Sequence, residues 1–328
     1  MNQDLLTAAG NGDEYAFARL IAPYRAELSA HCYRMLGSIH DAEDALQEAL
    51  LRAWRALPGF EGRSSLRSWL YRIATNACLR AIERRPPRVL PIDYGPPADP
   101  HDRPAAPLVE SVWIEPFPDD QLAVDASYEE REAVELAFIA ALQHLPARQR
   151  AVLILRDVLG FSAREVAESL DTTPVSIDSA LQRAHKAVDH RMPERTQQAT
   201  LRALGDDALR ATVDRYRDAW ERADVDAVKA MLAEDAILAM PPHPTWYEGR
   251  EAIGEFLRRL PFRAGRRERV VATGANGQLA FAHYASLDGG RFTVHAVGVV
   301  GFRGAEIADL TYFRSPELLA RFGLRETL

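Results

Sequence analysis

Ten prolines crowd into residues 86–118. Each one fixes its own φ and withdraws a backbone donor, so neither a helix nor an interior strand can run through this stretch. The 328-residue chain is therefore divided. Helical spacing precedes the prolines, in Phe17, Leu20, Ile21, Tyr24, Leu28, Cys32 and Met35, again in Ala42, Ala45, Leu46, Ala49 and Ala53, and again in Leu66, Leu70, Ile73 and Ala77. It resumes near Ser127 and lasts to about His190. A third segment, from about residue 205, opens with helices and ends in four alternating, Gly-punctuated runs (ERVVATG, QLAFAHYASL, RFTVHAVGVVGF, AEIADLTYF), an α+β pattern. The expected domains are 1–87, a linker at 88–127, 128–192 and 204–328.

The net charge of -7 hides a polarity. Residues 60–88 hold seven arginines against two glutamates, net +5, and residues 89–132 hold eleven acids against two arginines, net -9. A basic block followed by an acidic one points to a polyanionic partner that the average conceals. Two cysteines, Cys32 and Cys78, both in helical patterns, exclude a disulfide scaffold and favour a reducing cytoplasm. No apolar run reaches the length of a membrane span, the first residues lack a secretory pattern, and neither a metal-ligand cluster nor a P-loop is present, so no membrane, metal or cofactor is expected.

In DAEDALQEALLRAWRAL the face opposite the apolar stripe carries Asp41, Asp44, Glu48, Leu51 and Arg55. In SLRSWLYRIATNACLRAIERR, Trp69, Arg72, Asn76, Arg80 and Glu83 share the outer face. An indole on which bases stack, guanidiniums that neutralise phosphate and an amide that reads a base edge suit single-stranded nucleic acid. Further on, Gly160 ends one helix and a short helix spans residues 163–170. Asp171, Thr172 and Thr173 make a turn and cap, and Pro174 opens the next helix: a helix-turn-helix. Its outer face is Ser176, Asp178, Ser179, Gln182, Arg183 and Lys186.

The contiguous stretch DAEDALQEALLRAWRALPGFEGRSSLRSWLYRIATNACLRAIERR resembles domain 2 of the sigma-70 family in its small extracytoplasmic-function form, and the helix-turn-helix resembles sigma domain 4. The resemblance implies a sigma factor of all-α domains 2 and 4 that guides RNA polymerase core to promoters. Asp41, Asp44, Gln47, Glu48 and Leu51 would meet the β and β′ subunits. Phe60, Arg63 and Ser64 would lie near an extruded base of the -10 element, and Trp69, Arg72, Asn76, Arg80 and Arg84 near its non-template strand. Ser176, Ser179, Gln182, Arg183 and Lys186 would read the -35 element of the promoter DNA. Many relatives carry Lys or Arg where this chain has Asp178 and Ala180, so no relative's -35 sequence transfers.

In this family the linker threads polymerase, and Trp113, Ile114 and Phe117 in VWIEPFPDD are candidate anchors in a groove. The third segment resembles a SnoaL-like or NTF2-like α+β cone, a fold that hosts enzymes, binders and scaffolds alike. Trp220, His283, His295 and Asp309 are its candidate pocket residues, with strand parity placing His283 beside Phe281, His295 beside Val297 and Val299, and Asp309 beside Ile307 and Phe313. An unknown small ligand there, or regulation of the sigma domains in cis without one, is the expected role; the chain is not expected to be an enzyme. Two other classes remain: a ligand-responsive helix-turn-helix regulator of duplex DNA, and an NTF2-like enzyme with a helical extension.

Overall fold

The computed structural model describes residues 3–108, 112–122, 131–287 and 290–328. The helical pattern expected to begin at Ser127 and four acids of the linker block (Glu110, Asp125, Glu129, Glu130) lie outside the described residues. The chain forms two compact units, Met1–Arg88 with Gln121–Met192, and Val89–Asp120 with Pro193–Leu328.

The first unit is helical: α1 (Gln3–Gly10), α2 (Glu14–Ile21), α3 (Arg25–Leu36), α4 (Ile39–Ala56), α5 (Leu66–Ile82), α6 (Leu136–Gln143), α7 (Ala147–Leu153), α8 (Ala163–Ser169) and α9 (Pro174–Asp189). Helix α3 is central, with every residue from Ala30 to Leu36 buried. It ends at Gly37, whose φ of 68° closes the last turn through its N–H to Tyr33 O. Ser38 then caps α4 by accepting from the Asp41 N–H, and Ser65 caps α5 in the same way. The inner face of α5 is rotated from the expected stripe: Tyr71, Ala74, Thr75 and Cys78 join Leu66, Leu70 and Ala77, while Ile73 is only half-buried. Cys32 and Cys78 are free buried thiols. Helix α7 continues as a π-turn over Ile154–Val158.

In the second unit, α10 (Gln197–Leu204), α11 (Asp206–Glu221), α12 (Val225–Lys229) and α13 (Arg250–Arg259) accompany one six-stranded sheet of order β2-β1-β6-β5-β4-β3. Its strands are β1 (Leu232–Ala239), β2 (Trp246–Glu248), β3 (Arg267–Ala275), β4 (Gln278–Ser286), β5 (Thr293–Arg303) and β6 (Glu306–Phe313). The four expected strands are β3 to β6. Strand β1, whose LAED start reads as a helix end, and the three-residue β2 add to the expected four. Strand β1 runs parallel to β6 and the other pairs are antiparallel.

Residues 89–120, expected as a free linker, belong to this second unit. A proline-rich chain has no internal ladder, so its carbonyls and remaining N–H groups need other partners. They find them on edge strand β2 and the loop before it. Trp246 Nε1 donates to Gly95 O (2.7 Å) and Ala98 N to Trp246 O (2.8 Å). Ala105 N donates to Thr245 Oγ1 (2.8 Å) and Leu108 N to Pro242 O (3.0 Å). The far end clasps the Asn276-Gly277 turn between β3 and β4, whose positive φ values of 58° and 66° are those of a tight hairpin. Phe117 N donates to Asn276 Oδ1 (2.9 Å), Asn276 N to Phe117 O (2.8 Å), and Gly277 N to Asp119 Oδ1 (2.7 Å). Trp113, Ile114 and Phe117 are buried.

Candidate nucleic-acid and polymerase surfaces and the cone cavity

On α4, Asp44, Gln47, Glu48 and Leu51 are exposed, and Glu48 pairs with Arg52. Asp41 is a correction: spacing puts it on the outer face, but it is buried. The chain after α5 folds back over the first turn of α4, and Asp41 receives both Arg85 and the buried Arg88, whose Nε donates at 3.1 Å. A carboxylate so enclosed holds the two chain segments together.

On α5 the outer face is only partly open. Trp69 is half-buried, its ring 5.1 Å from that of Phe60. Arg72 and Arg84 are exposed, Asn76 and Arg80 half-buried, and Arg80 Nη2 is enclosed without a partner among the described residues. Burial lowers the Arg80 pKa, with Arg52 and Arg84 adding repulsion. Arg63 and Ser64 lie exposed in the preceding loop, Arg63 paired with Glu61 at 2.7 Å.

The helix-turn-helix half covers the start of α5. Arg72 reaches Asp171 (3.4 Å), Ser68 Oγ donates to Glu165 (3.3 Å), and Arg67 Nη1 to Leu159 O (3.4 Å). Behind them, the ring of Phe161 meets that of Tyr71 at 5.3 Å. The deepest tie is Arg150, which the sequence reading did not single out. Its guanidinium donates to Met35 O at the carboxyl end of α3, to Gln143 Oε1 and Gln143 O (3.0 Å) at the carboxyl end of α6, and to Leu145 O (3.2 Å) just beyond it. Two helix carboxyl ends, each with unpaired carbonyls and a negative dipole, thus converge on one cation. Burial lowers its pKa to about 10.

The helix-turn-helix itself is built as spaced. Ser162 and Glu165 form a reciprocal capping box on α8, which holds the Glu165 carboxyl below its usual range. Thr173 caps α9 and Pro174 opens it. Ser176, Asp178, Gln182, Arg183 and Lys186 are exposed and Ser179 is half-buried. The side chains of Gln182, Arg183 and Lys186 make no hydrogen bond or ion pair among the described residues, which leaves them available to a groove.

In the second unit, α11, α13 and the sheet enclose a cavity of about 240 Å³. Trp220, His283 and His295 line it. His283 and Tyr312 both meet Tyr216: its hydroxyl lies 3.3 Å from His283 Nε2 and 2.6 Å from Tyr312 Oη. Burial, then His295 and Arg266, push the His283 pKa well down, so the ring is neutral. Asp309 is a correction: it is exposed and does not line the cavity. A register shift on β5–β6, between Gly301 and Phe302, changes which parity faces inward, so Ile307 is followed in the core by Leu310 and Tyr312. A second shift, where His283 pairs with Ala296 and Tyr284 with Val294, leaves His295 as the extra residue. His295 therefore lines the cavity next to Ala296 and not in phase with Val297 and Val299. Glu268 lines the cavity as well, a residue outside the expected set although its alternation with Val270 on β3 marks both as inward. Arg266 holds Glu268 at 2.6 Å and His295 Nε2 lies 3.0 Å from its other oxygen.

Three family models match in the expected order: Sigma-70 region 2 over residues 20–86, Sigma-70 region 4 over 135–188, and a SnoaL-like domain over 213–310. The ECF RNA polymerase sigma factor SigG of Mycobacterium tuberculosis is 42% identical over 330 residues, which cover 95% of this chain and 85% of that protein. The chain belongs to the extracytoplasmic-function (ECF) RNA polymerase sigma factors. SigW of Bacillus subtilis, another ECF sigma factor, is 29% identical over 181 residues, 54% of this chain and 89% of its own. The fold of M. tuberculosis SigJ, a crystal structure, matches with a TM-score of 0.58 at 20% identity, covering 93% of this sigma factor and all of that chain. As a sigma factor it serves promoter-specific initiation by RNA polymerase, its helical unit supplying regions 2 and 4 and its cone the SnoaL-like domain. Among the described residues, no helix is long and apolar enough to cross a membrane.

Proposed function

We propose that this sigma factor docks on polymerase core through the exposed Asp44, Gln47, Glu48 and Leu51 face of α4, with Asp41 holding that helix in place. The Phe60, Arg63, Ser64, Trp69, Arg72, Asn76, Arg80 and Arg84 surface melts the -10 element, and α9 reads the -35 element through Ser176, Ser179, Gln182, Arg183 and Lys186. The domains are 1–87, 128–192 and 204–328, with 88–127 as connector. The two free, buried thiols suit a reducing cytoplasm.

The observation that carries the reading is the contact of α5 with the helix-turn-helix. The two promoter elements lie about 25 base pairs apart, roughly 85 Å at ~3.4 Å per step. A compact unit of about 160 residues is only roughly 40 Å across. Regions 2 and 4 therefore separate before both elements are held, and Arg72 leaves Asp171 to reach DNA. The arrangement described is the resting one, and polymerase and promoter stabilise the separated one.

The cone acts in cis as a regulator and not as an enzyme. Asp309 lies outside its cavity, Glu268 is tied to Arg266 and His295, and His283 is neutral. The cone also holds the connector, so deleting residues 205–328 would strip Phe117 and Gly95 of their partners. Full-length variants give the cleaner test. In reconstituted transcription on a promoter library, Asp44→Arg with Glu48→Arg should abolish retention on core. Trp69→Ala should retain core but lose open complex. Retention of core binding by the double reversal would sink the docking assignment.

A further inference from the structure

The cone cavity has a floor and a mouth of different chemistry. Trp220, Leu238, Met240 and Phe256 supply an apolar, aromatic floor, with the His283 ring 4.6 Å from that of Trp220. At the mouth stand Arg263 and Arg314. Neither guanidinium has a hydrogen-bond or ion-pair partner among the described residues. Of the carboxylates among the described residues, Glu268 alone lines the space, and Arg266 and His295 already contact it. Among the lining residues, Arg263, Arg266 and Arg314 stand against the single carboxylate of Glu268, two positive charges in excess. In the walls, Trp220 Nε1 and Nδ1 of His283 and His295 are enclosed without partners. Buried polar atoms without partners are uncommon in a finished core, and the Trp220 N–H, which can only donate, gives a ligand that brings an acceptor a thermodynamic opening here.

We propose that the cavity binds a small apolar carboxylate, its ring or chain against Trp220 and Phe256 and its anion between Arg263 and Arg314. A cavity of about 240 Å³ suits an aromatic or medium-chain monocarboxylate. A guanidinium recognises a carboxylate by paired N–H donors, and low-dielectric walls strengthen that contact. Pro104, from the segment held along β2, also lines the space, so an occupant touches the connector directly. The proposal names the signal for the cis regulation proposed above and rests on that reading for its purpose, but the binding itself is measured without polymerase.

The test is calorimetric titration of the full-length protein with 2-naphthoate, alongside the neutral 2-naphthalenemethanol of similar shape. Naphthoate should bind with 1:1 stoichiometry and at least tenfold more tightly than the alcohol. Arg314→Gln and Arg263→Gln, both at exposed positions that leave the core intact, should each weaken naphthoate about tenfold and leave the alcohol unchanged. No heat with naphthoate, equal affinity for the alcohol, or naphthoate binding indifferent to both substitutions overturns the proposal. If naphthoate binds as expected and run-off transcription does not respond to it, the ligand site stands and the regulatory reading fails.

Discussion

Replacing Arg150 by Met is expected to loosen region 4 from region 2 while leaving the helices of each intact. The guanidinium is buried, faces four oxygens and touches no carboxylate. Hydrogen bonds from a charged donor contribute about 1.5–3 kcal/mol each, against a desolvation cost of several kcal/mol for the cation. Truncating a buried, hydrogen-bonded charge typically costs about 3–5 kcal/mol in total, because its partners are left bare. Three of the four acceptors belong to region 4 itself; Met35 O is the one in region 2. The share that ties the regions together is therefore about 1.5–3 kcal/mol, a shift of roughly 10- to 150-fold in the equilibrium between packed and separated regions. Arg150→Lys should recover little, since a point charge cannot fork between two helix ends. The assay is pulsed electron paramagnetic resonance on the full chain labelled at Arg63→Cys and Gln182→Cys, with urea denaturation in parallel. Native Cys32 and Cys78 are buried and resist labelling. A longer, broader distance distribution and a lower unfolding midpoint are expected. If Arg150→Met leaves both unchanged, the guanidinium is not the tie.

His31 is fully buried, and burial, then Arg34 and Arg67, lower its pKa to about 3. The unfolded chain binds a proton near 6.5 that the folded chain refuses. The stabilisation is therefore complete above 6.5 and is lost as pH falls toward 3, by about 1.4 kcal/mol per unit; His31→Leu should flatten that part of a stability–pH curve. A β-carbon on Gly298 would stand 2.7 Å from the Tyr312 ring and 3.4 Å from His283 Nε2. Gly298→Ala should destabilise the cone by about 1–3 kcal/mol in thermal denaturation, and an unchanged midpoint would show that Tyr312 can move freely. Asn276→Ala removes the acceptor of Phe117 N and a residue suited to positive φ, so limited proteolysis should cut residues 89–120 faster than in the wild type.

Local rules carried the sequence reading far. Thr173 caps the helix that Pro174 opens, as the spacing announces, because a capping hydroxyl and the N–H it accepts from lie within four residues. The outer face of α9 was legible for the same reason. Asp41 was not, since its burial depends on Arg85 and Arg88, more than forty residues away and after a turn that periodicity does not see. Asp309 and His295 were misphased by register shifts: one extra residue reverses every side chain beyond it, and nothing in a run of alternating residues marks where the extra one falls. Arg150 reads as one more surface arginine until two helix ends are brought to it. The connector was read as free because proline density forbids helix and interior strand, yet the same lack of internal bonds leaves it hungry for a sheet edge.

That choice of edge has an effect on solubility. Strand β2 is terminal in the sheet, and the segment from Gly95 to Leu108 shields it and the adjoining loop from other chains. Whenever the connector is drawn away, a naked rim of backbone is left behind, open to invasion by any extended peptide, including one from a neighbouring copy. Holding the connector on its edge therefore also guards the sheet against pairing with a second copy.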